Sequence, residues 1–372
     1  MVAGEASGDL LASLLLDGIT QRIPMVSTVG IGGPHMTSRG FHAWWPSEKL
    51  AVRGYVEVLR HYREIVGIRR QLKQRLLNNP PDLFLGVDAP DFNLELERDL
   101  KAAGIKTVHF VCPSVWAWRA ERLEKIRLSV DHVLCIFPFE KSLLEQHGIA
   151  ATYVGHPLAQ VIPMEPDRSA ARIRLGFEQH DTVVAILPGS RVSEIAYLAK
   201  VFFEAAAFIR AAIPAVKFVV PTTASLLERV KGALKMSGLS GQMSIVVGQS
   251  HATLAACDVT LIASGTATLE AALFKRPMVI AYKMNPLSWQ IMRRKKLQPW
   301  VGLPNILLGE FVVPELLQDR ATPEALANEV LSLLNQADLA RNLMARFGAL
   351  HRDLTRDTAQ LCADAIQQVL EG

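Results

Sequence analysis

Four short segments combine residue types that can do chemistry, and each follows an apolar run and opens a helix-like stretch. Gly4-Glu5-Ala6-Ser7-Gly8-Asp9 is a glycine turn before the apolar segment Leu10–Ile19. Free backbone N–H groups at such a helix start suit phosphate or sugar hydroxyls. The spacing is neither a Walker loop nor GxGxxG, and a tight turn with Ser7 or Asp9 as helix cap fits equally well. In Asp88-Ala89-Pro90-Asp91-Phe92-Asn93, Asp88 follows Leu83–Val87, where a carboxylate is placed to take a proton from an attacking hydroxyl. The competing role for Asp88 is to cap a helix with Pro90 in its first turn, and Asp91 is the lesser candidate. Leu187-Pro188-Gly189-Ser190-Arg191 places a flexible glycine, a hydroxyl and a permanent forked cation at one helix start, a phosphate-binding combination. Ala263-Ser264-Gly265-Thr266-Ala267-Thr268-Leu269-Glu270 repeats the strand–turn–helix form. There Ser264, Gly265 and Thr266 would face phosphate, and Glu270, one turn on, would either grip ribose hydroxyls or lie on the helix surface.

Some chemistries lack their residues. No Asp-x-Asp occurs, so a metal-bridged diphosphate is not indicated, and neither a metal nor a cofactor is expected. A departing diphosphate would be met by Arg191 and helix N-termini. No G-x-S-x-G elbow is present, and His156 in Gly-His-Pro reads as structural or functional with equal ease. The scattered Cys112, Cys135, Cys257 and Cys362 have no metal spacing and read as buried free thiols of a reducing compartment.

The elements that must position these segments alternate. Strands are predicted at Ser27–Gly30, Leu83–Val87, Thr107–Val111, His132–Ile136, Thr182–Leu187, Lys217–Val220, Ser244–Val247, Val259–Ala263 and Met278–Ala281. Helix-length segments such as Ser193–Ala212 and Thr266–Phe274 lie between them, the pattern of a parallel α/β protein whose ligands sit beyond the carboxyl ends of the strands. Glycine and prolines crowd together from Gly155 to Arg168, which predicts a boundary between two Rossmann-like units. The last amphipathic helix, about Asp353–Leu370, is able to pack on either.

A chain of 372 residues that is 50% hydrophobic and 20% charged is long enough for two cores and is not a disordered composition. Its net charge of +4 excludes a nucleic-acid arm and suits anionic small molecules or an anionic membrane surface. Mean hydropathy of +0.20 raises the question of membrane contact. The most apolar long stretch, Val201–Val220, is interrupted by Glu204, Arg210, Pro214 and Lys217, so no span is predicted, and no secretory signal is recognised.

In their order, Val2–Asp9, Gly86–Asn93, Pro113–Arg119, Phe137–Lys141, Leu187–Arg191, Ala263–Glu270 and Leu303–Asn305 resemble the lipid-A-disaccharide synthases, bacterial inverting glycosyltransferases of the GT-B fold. VWAWR and DAPDFN are the most specific of these stretches, and the likeness runs along nearly the whole chain. The resemblance implies two Rossmann-like parallel-sheet domains facing across a cleft. Residues 1–157 would form the acceptor and membrane side, 158–340 the UDP-sugar side, and 341–372 a helical segment packing back on the N-terminal domain. It implies UDP-2,3-diacylglucosamine and 2,3-diacylglucosamine 1-phosphate as substrates, with a β-1,6-linked disaccharide 1-phosphate and UDP as products. Asp88 and Arg191 would be catalytic. Gly189, Ser190, Ser264, Gly265, Thr266, Glu270 and Asn305 would bind on the UDP side, and Glu5, Ser7, Gly8 and Asp9 on the acceptor side. A UDP-GlcNAc epimerase or other lipid-linked transferase, and a non-catalytic sensor of nucleotide sugars, are the alternatives.

Acylated substrates imply a cytoplasmic protein held peripherally at the inner membrane, with no nucleic-acid partner. Phe41–Leu77 and Ser288–Pro304 mix tryptophans and aliphatics with arginines and lysines as an interfacial helix does, although a core-facing helix with a solvated basic face has the same composition. The family has further apolar residues before its VAGE stretch, and the expectation is a native start upstream of Met1, which intact mass would check.

Overall fold

Val183-Val184-Ala185-Ile186-Leu187 is apolar on both faces, which suits a strand covered by helices on both sides, and all five residues are buried. The computed structural model describes residues 1–4, 6–23, 25–50, 55–118, 122–239, 241–295 and 297–372. Two units emerge, one comprising Met1–Gln160 with Leu354–Gly372, the other Val161–Asp353.

The first unit contains β1 (Val2–Ala3), β2 (Val29–Gly32), β3 (His42–Pro46), β4 (Leu83–Val87), β5 (Lys106–Phe110), β6 (His132–Cys135) and β7 (Ala151–Tyr153). They form a parallel sheet of order β3-β2-β1-β4-β5-β6-β7. The second contains β8 (Val183–Leu187), β9 (Lys217–Thr222), β10 (Ser244–Val247), β11 (Val259–Ala263), β12 (Met278–Tyr282) and β13 (Glu315–Leu317), in the parallel order β10-β9-β8-β11-β12-β13. Both are doubly wound Rossmann-like sheets, as expected. Strand order reverses between β1 and β4 in one and between β8 and β11 in the other, the points where such sheets bind ligands.

β3 was not among the predicted strands; it lies in the basic-aromatic segment assigned to membrane contact. Trp44, Trp45, Leu50 and Ile65 pack against the core cluster that contains Ile68, Leu72 and Leu76. The Arg75 guanidinium sits 3.8 Å above the Trp44 ring. From Arg63 onward, then, the apolar side of the helix Tyr55–Asn78 faces the unit's core and not a bilayer. The side chains of Val56, Leu59 and Arg60 lie outside the described residues. Among the described residues no helix is long and apolar enough to cross a membrane.

The boundary expected at 340/341 falls inside the helix Ala337–Leu354, whose Leu343, Phe347 and Leu350 are buried. The chain returns to the first unit at Leu354, and the terminal helix starts at Thr358, with the Asp357 carboxylate accepting the Gln360 amide at 3.1 Å. His156 belongs to this return. Its amide donates to the Leu354 carbonyl at 2.9 Å, its Nδ1 accepts the Leu158 amide at 3.2 Å, and its ring lies 5.5 Å from Phe137. Those contacts make His156 structural. Burial pushes its imidazole down to about 4.

The terminal helix lies close against the first helix, Ala6–Arg22, where a Cβ at Gly18 would come 2.2 Å from the Ala359 carbonyl oxygen. Gly18→Ala is therefore expected to cost about 1–3 kcal/mol by overpacking. Gly67→Ala, which meets nothing within 4 Å in a helix interior, should gain up to about 1 kcal/mol of helix propensity. Urea unfolding of the two variants checks both signs. Because the His156 pKa is depressed from 6.5, its contribution is intact above pH 6.5 and is lost as pH falls toward 4, about 3 kcal/mol in all. A His156→Asn variant should show a shallower loss of Tm across that window.

Candidate functional site

At the first switch point, Ala3 of β1 is in register with Val87 of β4, so the segment after β1 and the segment after β4 are neighbours. A Cβ at Gly4 would come 2.9 Å from the Ala89 Cβ, which shows how closely the two turns approach. Asp88 and Ala89 both adopt left-handed backbone, with φ of 50° and 44°. Ala89, not Asp88, occupies the N-cap position of the helix Pro90–Ala102, and no side chain caps it. This removes the capping role considered for Asp88. Asp91 is exposed and pairs with Arg122 at 2.5 Å.

Gly8 is buried against Ala3 and the Val87 carbonyl, 3.7 Å from where its Cβ would be. Asp9 departs from expectation. It is 1% exposed, and its carboxylate accepts the amides of Gly33, His35 and Met36 at 2.8, 2.9 and 3.1 Å. It caps the neighbouring helix Pro34–Thr37, so it neither faces a ligand nor caps its own helix. Glu5 and the Ser7 side chain lie outside the described residues.

At the second switch point a cavity of about 380 Å³ opens, lined by Gly189, Ser190, Arg191, Ser264, Gly265, Thr266 and Glu270 among others. These are residues from both glycine turns of this unit. Cavities of about 470 and 630 Å³ lie at the opposite, amino ends of the two sheets, away from where open α/β sheets bind ligands.

The turn at Arg191 differs from the expected anion cradle. Glu194 Oε2 accepts the amides of Ser190 and Arg191 at 2.8 and 3.2 Å, and Oε1 accepts from the Arg191 guanidinium at 2.6 Å. The N–H groups assigned to phosphate are thus occupied from within the chain. Gly189, at φ 125°, leaves room for Glu194, whose Cβ would lie 2.4 Å from any Cβ there. The Arg191 side chain, though paired with Glu194, stays 64% exposed beside the cavity.

Across the cavity the Ser264 hydroxyl donates to the Val301 carbonyl at 2.9 Å, and Thr268 Oγ1 donates to the Gly265 carbonyl at 2.8 Å. Glu270 lies 3.3 Å from His251 Nε2. The Glu270 hydrogen bond raises the His251 imidazole above its ordinary value, against partial burial.

Asn305, expected on the UDP side, is fully buried and away from the cavity. Its amide nitrogen donates to Val313 O and Glu315 Oε1, both at 2.9 Å, and its oxygen accepts the amides of Val312 and Val313 at 2.8 and 2.9 Å. With its four hydrogen bonds made internally, it has none to give a ligand. Glu315 in turn accepts the Val301 and Gly302 amides, so Asn305 supports Ser264 from behind.

Two side chains here were missed from sequence. Glu194 follows Arg191 at capping-box spacing, a local signal that was there to read. His251 meets Glu270 only through tertiary packing and leaves no such mark.

A family model described as lipid-A-disaccharide synthetase matches residues 1–367. Named lipid-A-disaccharide synthases are similar along the whole chain. That of Albidiferax ferrireducens is 67% identical, covering 100% of this chain and 97% of the relative. That of Verminephrobacter eiseniae is 62% identical, with 100% and 96% covered. Among solved structures, the fold is shared with an Anabaena protein in complex with UDP and glucose, at TM-score 0.59 and 15% identity, covering 100% and 98% of the two chains. It is shared also with the UDP-GlcNAc 2-epimerase of Neisseria meningitidis bound to UDP-GlcNAc, at TM-score 0.64 and 11% identity, with 98% and 96% covered.

Asn305→Ala should destabilise the second unit by about 3 kcal/mol, because buried amides and a carboxylate lose partners together. Equilibrium urea unfolding measures this, and a fully stable variant would contradict the structural role.

Proposed function

Because the chain belongs to the lipid-A-disaccharide synthase family, we propose that it joins UDP-2,3-diacylglucosamine to 2,3-diacylglucosamine 1-phosphate, giving the β-1,6-linked disaccharide 1-phosphate and UDP. The first unit would serve the acceptor and the second the UDP-sugar. The observation that carries the residue assignment is a strained aspartate turn at one switch point and an arginine-bordered cavity at the other.

Asp88 withdraws the proton of the acceptor's 6-hydroxyl as that oxygen attacks the anomeric carbon, and the bond to the UDP oxygen breaks on the opposite face. One displacement inverts the centre and requires one base, unlike the paired carboxylates of retaining glycosidases. Arg191 meets the charge that develops on the departing diphosphate. With the Ser190 and Arg191 amides held by Glu194, the remaining contribution comes from the helix start at Gly265 and Thr266. Glu270 accepts from the ribose hydroxyls. Gly8, packed against the Val87 carbonyl just before the Asp88 turn, belongs to the acceptor side, to which Glu5 and Ser7 are assigned from sequence; Asp9, engaged as a cap, supports that segment without touching substrate.

For membrane contact at the inner face, we favour the segment that includes the helix Pro286–Lys295 over the core-facing first segment. Trp289 and Met292 are half-buried there, Arg293 and Arg294 are exposed, and Leu297 is 53% exposed. Each such cation near an anionic leaflet contributes about 1 kcal/mol.

The test is a two-substrate assay without added metal, in which UDP release must depend on the diacyl acceptor. Equal release without acceptor would overturn the transfer. Asp88→Asn should lower turnover by about 10²–10⁴-fold with UDP affinity retained. Arg191→Ala should weaken UDP binding and slow transfer together, and unchanged kinetics would exclude its role.

A further inference from the structure

Beneath the Asp88 turn lies a pair of ionisable side chains that the proposed transfer does not use. His109 Nδ1 on β5 is 2.7 Å from Glu97 Oε1 on the helix Pro90–Ala102, and both side chains are fully buried. The space for this carboxylate exists because β4 carries glycine opposite His109: a Cβ at Gly86 would come 2.1 Å from Glu97 Oε1. One turn earlier on the same helix, the buried Asn93 donates from Nδ2 to the Asp88 carbonyl at 2.8 Å.

Stability does not account for this arrangement. A fully buried ion pair rarely recovers its desolvation, and apolar residues of the same volume often hold a helix on a sheet as well or better. Glu97 Oε2, His109 Nε2 and Asn93 Oδ1 are moreover buried without a hydrogen bond to any described residue. Three such atoms clustered under one turn are costly, which points to a role in the site above them.

The charges acting on His109 identify that role. Burial disfavours the imidazolium, but the charge and hydrogen bond of Glu97, and then the charge of Asp88, outweigh it and hold the imidazole above its ordinary value. The strand neighbours in register, Gly86 of β4 and Val133 of β6, carry no charge. The helix contributes Glu97, and the turn after β4 contributes Asp88. Coupling between two sites is reciprocal: if the Asp88 carboxylate favours the imidazolium, the imidazolium favours the carboxylate by the same free energy.

We infer that Glu97 and His109 are positioning residues for Asp88, a fixed buried charge under its turn that favours the carboxylate over the carboxylic acid. The inference rests on Asp88 being the base. His109 supplies the positive charge, Glu97 fixes the ring and favours the imidazolium, and Asn93 holds the Asp88 backbone. Neither His109 nor Glu97 touches substrate.

Imidazole NMR of ¹⁵N-histidine-labelled protein, titrated as wild type and as Asp88→Asn, tests the coupling without need of turnover. The His109 midpoint should fall in Asp88→Asn, and an unmoved midpoint overturns the inference. The kinetic arm uses His109→Gln and Glu97→Gln. Each should move the acidic limb of the kcat/KM profile upward by about one unit, with activity recovering at higher pH. A purely structural role would lower Tm and activity at every pH and leave the limb in place, which also overturns the inference. Should these variants not fold, the NMR arm decides alone. Failure of the base reading is separately visible as normal turnover in Asp88→Asn.

Discussion

The first unit's site depends on a backbone conformation that L-residues disfavour. Asp88 and Ala89 are left-handed in succession, and Val111, a β-branched residue at the end of the adjacent strand, has φ of 76°. Each such residue costs about 1–3 kcal/mol and persists only where its surroundings dictate it. Those surroundings are specific. The Asp88 amide donates to the Phe110 carbonyl, the Ala89 carbonyl accepts from Phe92 and Asn93, and the Val111 amide donates to Leu134. Pro90 presets the helix that follows, and Gly4 leaves room on the other side. The turn holds an aspartate at the point where strand order reverses.

The second unit solves its positioning problem differently. Its cation stands beside a helix N-terminus already neutralised by an internal carboxylate, Glu194. In the proposed reading, a diphosphate there would meet chiefly a side-chain charge, with less help from the dipole than the sequence suggests. The facing turn is braced from behind through Ser264, Val301, Glu315 and Asn305. Both candidate sites share a design in which polar residues next to the proposed ligand-facing ones spend their hydrogen bonds on the chain itself.

That design explains what was legible in the sequence. Longer strands such as β4, β8 and β11 were readable because they are almost wholly apolar and bounded by turn residues. β1, β7 and β13 have two or three residues each and carry too little pattern, and β3 was disguised by aromatics that fit a membrane helix equally well. Asp88 and Arg191 stood out as candidates because a charged residue after a buried strand is unusual. Asp9 and Asn305 were misread because residue type alone does not distinguish an amide or carboxylate facing a ligand from one facing its own backbone. Asp9's partners lie 24 to 27 positions away. His109 and Glu97 left no trace for the same reason: their meeting is set by the register of β4 on β5.

The first unit is built from two stretches of chain, Met1–Gln160 and Leu354–Gly372, with the whole of the second unit between them. On a ribosome, which extends the chain from its N-terminus, the seven strands of the first sheet emerge long before the helix that covers Ala6–Arg22. Throughout synthesis of the second unit, the groove at Gly18 therefore faces solvent or a chaperone. The early half matures only when the late half has been made, so a nascent chain arrested in between carries an uncovered apolar face.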